Sequence, residues 1–165
     1  MVDFLTPDFE VNEEFWNEYI LEDGTKLKHK IILCKVLIPG IKEEGDLVVG
    51  TGTKRATTVF APEEMKGEPR NSPIPPDEVE ENIVDDDVGI KEKNEKWNSY
   101  KLKGELVEGI EINVKPAIAQ ILKTDLIDPV GEPVYKVNSE TLTKINVPKE
   151  VKNKLQKELK KIKVE

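Results

Sequence analysis

The 165-residue chain contains one cysteine, one histidine, two methionines and two glutamines. A lone Cys34 excludes an internal disulfide. His29 lies five positions before it, and with no second residue of either type a transition-metal site there would need carboxylates for its remaining ligands. Serine is also scarce, at positions 72, 99 and 139, and none sits in a nucleophile-elbow pattern. The inventory for nucleophilic catalysis is therefore thin. No stretch of about 18 apolar residues exists to cross a membrane. The opening "MVDFLTPDFEVNEEF" lacks the basic segment and long apolar run of a signal peptide. These scarcities predict a soluble, cytoplasmic protein with no membrane partner, no cofactor, no metal and no assignable catalytic residue.

What the chain has in quantity is charge, with 23 Lys and 23 Glu, a balance like that of thermophile proteins, in which ion-pair networks replace labile side chains. The net charge of −8 is unevenly placed. Residues 67 to 95 hold ten acids and three bases, so the acidity belongs to one segment and the remainder is nearly neutral. That segment also carries four of the eleven prolines, and it reads as an extended first half followed by a solvated, mobile second half. Within it, Asp85-Asp86-Asp87 followed by Gly89 lacks the spacing and the closing Glu of a calcium loop.

Both tryptophans fall in similar hexamers, "WNEYIL" from Trp16 and "WNSYKL" from Trp97. From the chain's composition, a chance match of Asn, Tyr and Leu has odds on the order of one in ten thousand. A second pair, "TTVFAPEEMKG" from Thr57 and "TKINVPKEVKN" from Thr143, follows in the same order. The displacements are 81 and 86 residues, reconciled by a five-residue insertion. The pattern predicts an internal tandem duplication: residues 1–67 as a first β unit with an N-terminal extension, 68–95 as an acidic linker, and 96–165 as a second β unit with a basic C-terminal helix.

The fold class expected is all-β or mainly β. Short β-prone runs separated by Asp23-Gly24, Pro39-Gly40 and "DPVGEP" predict hairpins, in two small barrel- or sandwich-like units packed with pseudo-two-fold symmetry. After Pro148, Val151, Leu155, Leu159 and Ile162 follow at helical spacing, giving one amphipathic stripe. An uncovered stripe would offer a site for oligomerisation or for a partner's groove.

Alternation in a strand puts Asn17, Tyr19 and Leu21 on one face and Trp16 on the other, so the tryptophans read as partly exposed residues that seal the units or stack on a ligand. Lys26, Lys28 and Lys30 are expected to face Glu105, Glu108 and Glu111 across adjacent strands. As a phosphate-binding set those lysines are weak, because no aromatic residue interleaves with them. "VVGTGTKRATT" brings Lys54 close to glycines without Walker spacing, which reads mainly as a flexible hairpin. The candidate binding residues are Trp16, Trp97, Lys54, Lys154, Lys157 and Lys161. The function expected is non-catalytic binding or assembly through protein contacts. The alternative is nucleic-acid binding through the Lys-rich terminal helix with Trp stacking, and a small-molecule enzyme stands third.

Overall fold

The computed structural model describes residues 3–163 and is mainly β, with two antiparallel-dominated sheets and one short C-terminal α-helix. The strands are β1 (Asp8–Glu13), β2 (Asn17–Leu21), β3 (Lys26–Lys42), β4 (Leu47–Phe60), β5 (Ile83–Asp85), β6 (Ile90–Asn94), β7 (Asn98–Lys103), β8 (Glu111–Ile127), β9 (Pro133–Asn146) and β10 (Lys161–Ile162). The helices are α1 (Pro76–Glu81) and α2 (Lys149–Glu158), and a single 3₁₀ turn covers Glu63–Met65.

Each sheet is built on one long hairpin. In the first, β3 pairs along one edge with β4, and its other edge is shared between β2 at the start and the two-residue β10 at the far end. In the second, β8 pairs with β9 along one edge, with β7 at the start and β5 near the far end of the other. β3 and β8 have 17 residues each, and β4 and β9 have 14 each. The outermost strands are exchanged: β1, which precedes β2 in the chain, pairs with β7, while β6, which precedes β7, pairs with β2.

The alternation of β3 decides where the core lies. Leu27, His29, Ile31 and Leu33 turn inward and are buried, whereas Lys26, Lys28 and Lys30 point to the outer face of the sheet. Two apolar clusters result, and each contains residues from both sides of segment 68–95. One joins the far half of β3 (Ile31 to Ile41) with Tyr100, Leu102, Ile112, Val114 and α2. The other joins Tyr19, Leu21 and Leu27 with Ile121 and Tyr135.

Several expectations change at this level. The hairpin turn falls at residues 43–46, not at Pro39-Gly40. A register shift between Leu37 and Gly40 accommodates Pro39, which cannot donate to the ladder. Gly40 has another role there: a Cβ would lie 2.6 Å from the Lys160 carbonyl, which accepts from the Ile41 amide at 3.0 Å. The predicted turn at Asp23-Gly24 is present, with Gly24 at φ 91°. "VVGTGTKRATT" is continuous strand within β4, not a flexible hairpin. Segment 68–95, expected to be extended in its first half and solvated and mobile in its second, contains α1, β5 and β6. β3 and β8 lie in different sheets, so the predicted lysine–glutamate ladder does not form; Lys26 and Lys28 pair with Glu18, and Lys30 with Glu14.

The terminal helix is shorter than its periodicity suggested, because the chain straightens after Leu159 and Ile162 joins β10 beside Ile41 and Lys42. Leu155 and Leu159 are buried in the first cluster, with Val151 packed against it. The chain's own core therefore covers the stripe. Among the described residues no helix is long and apolar enough to cross a membrane.

Leu155→Ala should cost about 2–5 kcal/mol in chemical denaturation, the range for emptying a core leucine site. Leu142→Ala, on a largely exposed side chain, should change stability by no more than about 0.5 kcal/mol. Equal losses in the two variants would show that α2 is not seated in the core.

Candidate functional site

The repeated hexamers meet where the chain crosses between the sheets. Asn17 and Asn98, the first residues of β2 and β7, are both buried. The Asn17 Oδ1 accepts from the Lys96 amide at 2.7 Å, and the Asn98 Oδ1 accepts from the Phe15 amide at 2.8 Å. Their side-chain amides donate into β3, to the carbonyls of His29 and Ile31. The tyrosines repeat the exchange: Tyr19 donates to Glu95 at 2.7 Å, and Tyr100 donates to Glu14 at 2.8 Å. Each hexamer thus binds the residues just before the other's tryptophan. Burial, then the neighbouring carboxylate, raises both phenols far above their ordinary range, so both are neutral donors.

The tryptophans sit immediately before these strands and under lysines. The Lys30 ammonium lies 5.5 Å from the centre of the Trp16 ring, and Lys115 lies 5.0 Å from that of Trp97, with Lys144 at 5.9 Å. Trp16 is 41% exposed and Trp97 less so. On the same outer face as Trp16, Lys28 lies 5.7 Å from the ring centre of Phe60, which is 50% exposed. This corrects the view that no aromatic interleaves with Lys26, Lys28 and Lys30. In the chain the aromatics are distant; in the sheet, register places Phe60 opposite Lys26. Glu18 holds Lys26 and Lys28, and the hydrogen bond from Lys26 keeps its carboxyl below the usual range.

The remaining candidates are dispersed. Lys54 is exposed on β4, paired with Ile32 in the ladder. Lys154 and Lys157 are exposed on α2, Lys154 donating to the Glu105 carbonyl at 3.3 Å, and Lys161 is on β10. The cations that lie over the tryptophans are Lys30, Lys115 and Lys144, none of them from this group.

One polar cluster combines groups from both sheets. His29 is fully buried, its Nδ1 2.8 Å from Thr57 Oγ1 and its Nε2 2.8 Å from Ser139 Oγ. Arg55 donates to Ser139 at 2.9 Å and to Thr141 at 2.9 Å. Burial first, and Arg55 second, lower the His29 pKa to about 4, so the imidazole is neutral at pH 7. A serine beside a neutral histidine has the distance of a nucleophile–base pair. Here the groups form one chain of contacts, Thr57–His29–Ser139–Arg55–Thr141, which pins β3, β4 and β9 together. Among the described residues no group of three or more His, Cys, Asp or Glu side chains is placed to hold a metal ion.

Compared with known proteins, the chain matches no family model, no curated protein and no solved structure.

Because His29 is the single histidine and its folded pKa lies below the unfolded value of about 6.5, its contribution to stability is complete above pH 6.5. As pH falls from 6.5 towards 4, the unfolded chain takes up a proton that the folded chain refuses, and stability declines by at most about 1.4 kcal/mol per pH unit. Denaturation midpoints across pH 7 to 5 should show this slope in the wild type and lose it in His29→Gln. An unchanged slope in the variant would place the titrating group elsewhere.

Proposed function

We propose that the chain is a non-catalytic binding and assembly protein, working in the cytoplasm through protein contacts on an internally duplicated β scaffold. The duplication reading is supported by spacing: the first residues of β2 and β7 are 81 positions apart, those of β3 and β8 are 85 apart, and those of β4 and β9 are 86 apart. The extra residues fall in the β7–β8 loop and the β8–β9 turn. The exchanged Asn and Tyr contacts also follow this numbering, since Glu14 and Glu95 stand at matching positions before the two tryptophans. An approximate two-fold axis through the crossing accounts for both.

The observation that carries the assembly reading is the pair of outer strands. β1 and β6 each pair with one neighbour, and both are exposed along most of their length. A strand with one free side is a template for another chain's strand. Charge favours a match between unlike edges: β1 carries Asp8, Glu10 and Glu13, whereas β6 carries Lys91 and Lys93 with Glu92. A contact between β1 of one copy and β6 of another joins different surfaces, so it builds rings or open chains. The buried stripe of α2 is not the self-association surface.

Native mass spectrometry of the full chain at low and moderate salt tests this directly. A bare oligomer that dissociates in Lys91→Glu/Lys93→Glu is expected. A monomer at every concentration, bare or loaded, would overturn the assembly reading.

A further inference from the structure

We infer that the outer face of the β2–β3–β4 sheet is a binding surface for single-stranded nucleic acid, with Trp16 and Phe60 as stacking platforms and Lys26, Lys28, Lys30 and Lys54 as phosphate contacts. This capacity is additional to protein assembly and does not depend on it.

Register places these groups on one face. Lys26 is opposite Phe60, Lys28 opposite Thr58 and Glu18, Lys30 opposite Ala56, and Ile32 opposite Lys54. Trp16, one residue before the Asn17–His29 pair, falls level with Lys30 and lies beneath its ammonium. With a rise of about 3.3 Å per residue and about 4.8 Å between strands, Trp16 and Phe60 are roughly 16 Å apart on a diagonal. Lys30 and Lys28 lie along that diagonal, one over each ring. A strand of a few nucleotides spans it, with bases on the rings and backbone along the lysines.

Charge and exposure agree. Four lysines share this face with three carboxylates, Glu14, Glu18 and, on neighbouring β6 opposite Ile20, Glu92, and Glu14 also accepts from Tyr100. Trp16 at 41% and Phe60 at 50% exposure leave ring area for a base. Stacking on an aromatic side chain tolerates any base and contributes about 1–3 kcal/mol, while phosphate contacts make affinity fall with salt. A purely anionic surface such as a sulfated polysaccharide would use the lysines and leave the rings idle. Most of the chain's net −8 lies in residues 67–95, and the part of that segment that borders this face is β6, with Lys91, Glu92 and Lys93.

The test is fluorescence anisotropy of the full chain with labelled short oligo(dT) and oligo(U), at several salt concentrations. Saturable, salt-sensitive binding is expected, weakened roughly tenfold in Phe60→Ala and in Lys28→Glu. Glu18→Gln, which releases Lys26 and Lys28, should tighten binding a few-fold. Lys154→Glu/Lys157→Glu/Lys161→Glu should leave it unchanged. Circular dichroism melts confirm that the variants are folded, and Phe60 and Lys28, on the outer face, are chosen so that they remain so. The inference is overturned if the wild type does not bind, if only the α2 variant loses binding, or if dextran sulfate binds as tightly and Phe60→Ala has no effect.

Discussion

The structure depends on two buried asparagines that bind each other's neighbourhoods. Asn17 and Asn98 sit where each strand pair begins, and each satisfies a backbone amide in the segment leading to the other. A buried amide left unpaired costs about 1–3 kcal/mol. Withdrawing either half would strand both side chains, the backbone groups they serve, and the two tyrosine–carboxylate pairs beside them. No buried side-chain polar atom among the described residues lacks a partner. That completeness makes the crossing a register device. An apolar contact could slide; an amide that must meet both a donor and an acceptor cannot.

From this centre outward the two ends differ. At one, Gly40 admits β10 and α2 closes the core with Leu155 and Leu159. At the other, Tyr135 donates to Asp23 at 2.5 Å, Thr25 bonds to the same phenol, and Lys123 pairs with Asp23. Burial and Asp23 raise the Tyr135 phenol far above its ordinary range, while the Tyr135 and Thr25 hydrogen bonds outweigh desolvation and lower the Asp23 carboxyl. One end is sealed by apolar helix packing and the other by a charged hydrogen-bond network, so two hairpins with strands of equal length are finished with unlike chemistry.

The strand content, the Asp23-Gly24 turn and the inward set Asn17, Tyr19, Leu21 were legible in the sequence because each rests on local alternation and turn chemistry. The start of α2 was legible for the same reason, through Pro148 and the stripe that follows. What was not legible depends on pairing between distant segments. Glu14 and Glu95 precede the tryptophans at matching positions, yet nothing local marks them as tyrosine partners. Phe60 is 32 residues from Lys28 and gains its meaning only from the β3–β4 register. The lysine–glutamate ladder failed because it assumed that the two long strands, β3 and β8, would be neighbours, whereas each pairs with the hairpin partner that follows it. β5 and β6 were hidden by the acidic composition around them, since pairing with one distant neighbour, β8 and β2 respectively, and not hydrophobicity, makes them strands.

Glu14 joins the two levels of the structure. Its Oε2 accepts from the buried Tyr100, and its Oε1 pairs at 2.9 Å with Lys30, the lysine over Trp16. The matching carboxylate, Glu95, accepts from Tyr19 but pairs with Lys93, while Trp97 is covered by Lys115 and Lys144. Only Trp16 is therefore wired through a single carboxylate to the central crossing. A group that displaces Lys30 from the Trp16 ring also releases one arm of Glu14, and the freed carboxylate oxygen must find another donor or water. Occupancy of the outer face and strength of the internal lock are thereby coupled on one side of an otherwise matched pair, and this difference between Trp16 and Trp97 follows from which lysine each carboxylate can reach.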